Sequence, residues 1–262
     1  MFKYEFMRTA FLVGGILAVI VPIIGVVVVF KRMSMIGDAL SHTSLAGITL
    51  GVILGVNPLI VAIILSVLSA LALDYIQRKY PKYQELSIAI VMSLGMGLSA
   101  LFLNFVKEAS NFNKYLFGSI ISISNSDVII SVVLAVIIIG ASLYFYRDFF
   151  YIAYDEHAAE LAGVNVRKTG IIFTVLTAIT VSLASRIIGA LVVSSLMVIP
   201  IAAAMRITKS YKMTFIISMI FSLLSLYTGL TLAYYMNLAP GGVIVLNSLA
   251  YLGLSFLIKN NG

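Results

Sequence analysis

The sequence predicts an all-helical bundle that crosses a membrane about nine times, and three observations carry that reading. Of 262 residues, 61% are hydrophobic and only 10% are charged, where soluble domains carry roughly 25% charged residues. The mean hydropathy is +1.12. The apolar residues fall in runs of about 20 with no alternation of period two, the length of a spanning helix and not the pattern of a barrel strand. A water-soluble fold is excluded, because a chain of this composition has too little polar surface to cover itself. There is no cysteine. Disulfide frameworks, iron–sulfur clusters and thiolate metal sites are therefore excluded, and any metal must be held by nitrogen and oxygen donors.

The first run, 8–30, contains Pro22 and lacks a signal-peptide cleavage pattern. It is too long for the apolar core of a signal peptide and is expected to stay as a mature helix. The second, 36–55, is the most polar of all. The third is 57–76. The runs 86–106 and 127–146 are plain apolar stretches. The next two, 169–185 and 187–205, nearly touch at Ser185-Arg186, so one of them is either a full span or a half-helix, and the expected total runs from eight to ten. Pro200 lies in the later one. The last two runs, 212–235 and 239–258, leave no room for a second domain, so residues 1–262 form one transmembrane domain.

The net charge of +7 is a topology signal. Nine spans sort the basic residues into two sets. Lys31, Arg32, Arg78, Lys79, Lys82, Arg147, Arg167, Lys168, Arg206, Lys209, Lys212 and Lys259 lie on one side, and Lys3, Arg8, Lys107, Lys114 and Arg186 on the other. The richer side is expected in the cytoplasm, which puts the N-terminus outside and the C-terminus inside. No nucleic-acid partner is needed to explain the charge.

One connection on the basic side is long, at about 148–167. From Asp155 it predicts a short helix, with Asp155 as N-cap, Glu156 in the first turn and Gly163 as the stop. Ala159, Leu161 and Ala162 offer a small apolar face beside Glu160. Two partners are open for it: membrane lipid headgroups or another protein. The acidic residues oppose an anionic leaflet and favour protein. His157 reads as solvated surface.

Asp38 is the one acidic residue placed within a span, and His42 follows it by four positions. That spacing stacks carboxylate and imidazole on one helical face, where both can hold one cation. Ionisable groups in a span are costly unless paired, hydrated or coordinated. An alternative stays open, in which Asp38 caps the helix near Lys31-Arg32 and His42 bonds to a carbonyl. The repeat Gly47, Gly51, Gly55 suits close helix packing. The eleven methionines are scattered and form no thioether cluster.

The segment Arg32-Met33-Ser34-Met35-Ile36-Gly37-Asp38-Ala39-Leu40-Ser41-His42 resembles the signature of the permease subunits of zinc and manganese ABC importers, the metal-ion ABC-3 type family. The run Asp155-Glu156-His157-Ala158-Ala159-Glu160-Leu161-Ala162-Gly163 is similar to that family's cytoplasmic coupling segment, and 189–200 to the span that follows. The resemblance covers nearly the whole chain. It implies a type II importer-like permease bundle in a prokaryotic plasma membrane, working as a homodimer. Two cytoplasmic ABC ATPase subunits would hold the ATP, and an extracytoplasmic metal-binding protein would deliver the ion. It also implies Asp38 and His42 as ligands of the transported zinc or manganese. Asp155, Glu156, Ala159, Glu160, Leu161 and Gly163 would be the ATPase-coupling element, with no catalytic residue and no permanent cofactor on this chain.

The sequence lacks a Gly-x-x-x-x-Gly-Lys-Ser/Thr phosphate loop, in keeping with a nucleotide site on another polypeptide. The rival class is a stand-alone secondary transporter or channel for divalent cations, which would usually carry more ionisable residues within its spans. An intramembrane metalloenzyme is a third, and two ligands per chain fall short of the three usual at catalytic zinc.

Overall fold

The computed structural model describes residues 4–106 and 124–257. Lys3, Lys107, Lys114 and Lys259, used above in sorting charges, lie outside them. Among the described residues every regular element is helical: α1 (Glu5–Phe30), α2 (Ile36–Leu54), α3 (Pro58–Lys79), α4 (Gln84–Leu103), α5 (Asn125–Tyr144), α6 (Tyr146–Tyr154), α7 (Glu156–Leu161), α8 (Val166–Ile188), α9 (Ala190–Ile207), α10 (Tyr211–Met236) and α11 (Pro240–Leu257). A single 3-10 turn, Pro81–Tyr83, precedes α4. Nine of these helices are long and apolar enough to cross a membrane, all but α6 and α7. The polytopic helical fold is as the sequence predicts, with boundaries moved by a few residues. The break expected at Ser185-Arg186 falls at Gly189, whose φ of 105° ends α8 and starts α9.

Three helices, α1, α2 and α8, form the inside, and the others pack around them. Helix α2 touches α3, α4, α8 and α9, whereas α1 is flanked by α10, α9, α5 and α8. The outer helices share one design. Each buries a stripe of small residues spaced three or four apart and turns its large apolar residues outward. In α4 the stripe is Ser87, Val91, Gly95 and Ser99; in α10 it includes Ser218, Ser222, Ser225 and Gly229. Leu86, Ile90, Leu94 and Leu101 of α4 are exposed. Between helices in lipid there is little hydrophobic driving force, so close backbone approach through small residues supplies the packing. Some of the buried hydroxyls bond within their own helices, as in Ser131 Oγ to the Asp127 carbonyl at 2.6 Å and Thr177 Oγ1 to the Phe173 carbonyl at 2.8 Å.

The glycine repeat of α2 divides into two roles. A Cβ at Gly47 would stand 2.5 Å from Ala62 Cα, and one at Gly51 2.7 Å from Pro58 Cα, so both permit the α2–α3 contact. Gly55 packs against nothing. It has φ 67° and closes α2, with Val56 N–H donating to the Gly51 carbonyl.

The long connection is more ordered than a loop. Residues 146–154 form α6, which buries Phe149, Ile152 and Ala153 at helical spacing. Asp155 then caps α7, accepting from the backbone N–H groups of His157 (2.8 Å) and Ala158 (3.2 Å). Gly163, at φ 81°, ends it, with Gly163 N–H donating to the Glu160 carbonyl and Val164 N–H to that of Ala159. These two bonds make the Schellman closure that the glycine signalled.

Candidate functional site

Helix α2 is enclosed for most of its length, and its exceptions locate the site. From Ile36 to Thr49 every residue is buried except Asp38 and His42, which are half-buried. The i, i+4 spacing therefore puts a carboxylate and an imidazole at one opening in an otherwise sealed helix.

Each is held by a different neighbour. The Asp38 carboxylate accepts a hydrogen bond at 2.5 Å from the Ser194 hydroxyl of α9. Asp38 is the third residue of α2, whose N-cap is Met35, and Met35 contributes no side-chain capping bond. Asp38 makes its side-chain bond across to another helix and does not cap its own, so the capping alternative has no support. A Cβ at Gly37 would lie 3.2 Å from both Ser194 Oγ and Met197 Sδ, so the absence of a side chain there lets α9 come within reach.

His42 is fixed through its backbone. Ser99 of α4 donates to the His42 carbonyl at 3.1 Å and to the Gly95 carbonyl at 2.7 Å. A Cβ at Gly95 would come within 2.7 Å of Thr43 N and 2.9 Å of His42 C. Helix α4 thus rests directly on the main chain of the histidine.

Ser194 stands thirteen positions from Ile207 and four from Ala190, the two ends of α9, about 20 Å and 6 Å along the helix. Asp38 is bound at that level of α9, although it follows closely on Lys31 and Arg32 in sequence.

Among the described residues no third His, Asp or Glu joins this pair into a metal-holding group. One chain brings one carboxylate and one imidazole. Sequence reasoning missed Ser194; the signal available was that Ser194 and Ser195 are the only hydroxyls in the apolar run 190–203.

At the other candidate element, the predicted face of α7 is redistributed. Ala159 is fully buried while Leu161 is 91% exposed. Two positions are about 200° apart on a helix, so Ala159 seats α7 on the bundle and Leu161 points away with Glu160 and His157. Glu156 reaches the end of α1, its Oε1 2.6 Å from Lys31 Nζ, while more than half of its side chain stays exposed. His157 is solvated as expected, 3.8 Å from Glu160.

The profile of the ABC 3 transport family matches residues 3–259. The chain belongs to that family. Relatives of the ABC 3 chain include the high-affinity zinc uptake system membrane protein ZnuB of Haemophilus influenzae, 31% identical over 98% of this chain and 98% of its own. The manganese transport system membrane protein MntC of Listeria monocytogenes is 27% identical over 97% of this chain and 91% of its own. Among solved structures, PsaBC from Streptococcus pneumoniae, in complex with Fab, superposes with a TM-score of 0.88 at 25% identity, covering 98% of this chain and 93% of that one. Family membership accounts for the fold: a polytopic membrane bundle of the ABC importer permease type.

Proposed function

We propose that this chain is the permease of an ATP-driven importer for divalent transition metals, zinc or manganese, and that Asp38 and His42 hold the ion in transit. The observation that carries this is the pair's position: Asp38 and His42 are half-buried at one opening of a helix whose neighbouring residues are all buried, with Asp38 bound to Ser194 of α9. The relatives named for zinc and manganese systems agree with it.

Two donors per chain are half of a coordination shell. A second copy meeting this one across a two-fold axis would supply the other carboxylate and imidazole. In this reading the extracytoplasmic binding protein releases the ion to that interface, the four donors hold it transiently, and the ATPase subunits switch the side that is open. The richer basic side faces the cytoplasm, as the positive-inside rule requires, so α6 and α7 meet the ATPase there and the N-terminus lies outside. Leu161 is the residue that α7 offers to that partner.

The test is reconstitution. The permease is coexpressed with the ATPase and binding protein encoded beside it, placed in liposomes, and assayed for ATP-dependent uptake of zinc and manganese. Uptake that requires ATP and the binding protein supports the importer. Uptake driven by an ion gradient without the ATPase would favour the secondary-transporter reading.

A further inference from the structure

The α1–α2 turn lies between the coupling helix and Asp38, and it is unusually well tied. Helix α1 ends in a Schellman closure, with Arg32 N–H donating to the Val29 carbonyl and Met33 N–H to that of Val28, both at 3.0 Å. Arg32 occupies the left-handed position, φ 59°, normally given to glycine. Ile36 N–H then donates to the Met33 carbonyl at 2.9 Å, and α2 begins. The turn is hydrogen-bonded from Val28 to Ile36, so a displacement of Lys31 is passed on to Asp38 two residues into α2.

Two adjacent residues at the end of α1 grip the α6–α7 junction. Lys31 Nζ is 2.6 Å from Glu156 Oε1, with the lysine side chain 16% and the glutamate side chain 58% exposed. Beside it the Phe30 ring lies 5.0 Å from that of Tyr154 and 5.5 Å from that of Tyr211. A single contact would allow pivoting; two in neighbouring positions do not. Glu156 also lines, with Lys31, Asp74 and Arg78, a cavity of about 230 Å³ at the ends of α1 and α3. There Arg78 forks onto Asp74 at 2.8 and 3.1 Å. Through Glu156 helix α7 makes a charge contact to the turn that leads to Asp38, while Leu161 points away from the bundle.

We infer that the Lys31–Glu156 ion pair is the strut through which movement of α7 reaches Asp38, which makes Glu156 a positioning residue. This rests on the importer reading above. Helix α7, the end of α1 and the start of α2 move as one body, and Asp38 is carried toward or away from Ser194 as the ATPase shifts α7.

The test measures metal ions imported per ATP hydrolysed, per mole of assembled complex in liposomes. K31Q and E156Q are each expected to lower that ratio at least about fivefold, and the swap K31E/E156K to return it to within twofold of wild type. Because the chain has no cysteine, K31C/E156C gives an independent arm. Bridging the two thiols with a reducible bifunctional thiosulfonate is expected to raise the ratio of that variant about fivefold, and reduction to lower it again. Single variants that couple like wild type, a swap that stays uncoupled, or a bridge without effect would each overturn the strut alone. A wild-type complex that hydrolyses ATP but imports neither metal would overturn the importer reading and the strut together.

Discussion

The Ser194 hydroxyl donates a hydrogen bond of 2.5 Å to Asp38 Oδ1, joining α9 to α2 across 156 positions of sequence. It satisfies one carboxylate oxygen and leaves the other free for a cation. Bonds to ionised groups are worth about 1.5–3 kcal/mol, enough to fix the orientation of Asp38. S194A is expected to raise the metal concentration for half-maximal uptake about tenfold, with the maximal rate less affected, and S194T to retain most of the wild-type affinity. Uptake kinetics of the reconstituted complex measure both. Unchanged affinity in S194A would show that Asp38 needs no support from α9.

Gly95 yields a sharper steric prediction. A Cβ there meets the backbone at Thr43 and His42, which cannot rotate aside as a side-chain tip can. G95V must push α4 from α2 and displace the histidine. Uptake is expected to fall more than tenfold while G97V, at a position with open space around its Cβ, stays near wild type. Membrane levels of the two tagged variants, measured alongside, separate misfolding from a misplaced site.

What the sequence made legible was whatever has a local signature. Span lengths, the Asp155 cap, the Gly163 stop and the Asp38–His42 spacing are all written in neighbouring residues. Contacts between distant helices are not. The missing side chain at Gly37 eases the approach of Ser194 to Asp38, and no local pattern announces that. The Arg186–Asp127 pair, at 3.5 Å with both side chains largely buried, likewise links α8 to α5. Helix α6 was legible in principle, since Phe149, Ile152 and Ala153 have helical spacing, but its aromatic, charged composition reads as loop. For Ala159, pattern reasoning found the apolar residues of α7 but not which side of so short a helix faces the bundle.

Orientation can be tested because the chain has no cysteine. Val56 and Leu238 are about half exposed, at 51% and 50%, and lie at the ends of α2 and α10. Single cysteines there should react with a membrane-impermeant thiol reagent in intact cells, whereas L161C and K82C should react only after the membrane is opened. The reverse pattern would invert the topology and remove α7 from the cytoplasm.

In the proposed importer, docking of α7 on the ATPase depends on Leu161 and on the turn at Gly163. L161D places a charge where an apolar contact is expected and should lower ATPase stimulation by the metal-loaded binding protein about tenfold. G163V forces a β-branched residue to φ 81°, a cost of about 1–2 kcal/mol that loosens the end of α7; a smaller loss of about two- to fivefold is expected. Copurification of the ATPase with each variant shows whether assembly or signalling is lost. Wild-type stimulation in both would favour α7 resting on lipid.

The ion itself follows from the donor inventory. In the proposed dimer, two carboxylates and two imidazoles would suit zinc in a tetrahedral shell, and manganese where water or a second carboxylate oxygen raises the coordination number. They do not suit copper(I), which favours sulfur, and are too rich in nitrogen for calcium or magnesium. D38A and H42A are each expected to abolish uptake of either metal without preventing membrane insertion. H42D discriminates between the two. Replacing imidazole by carboxylate gives an all-oxygen site, harder and better matched to manganese, so zinc uptake should fall more than manganese uptake, by about tenfold in the ratio. Parallel uptake of both isotopes by wild type, D38A, H42A and H42D measures this. An unchanged zinc-to-manganese ratio in H42D would place selection in the delivering protein and leave α2 as a passage for either ion.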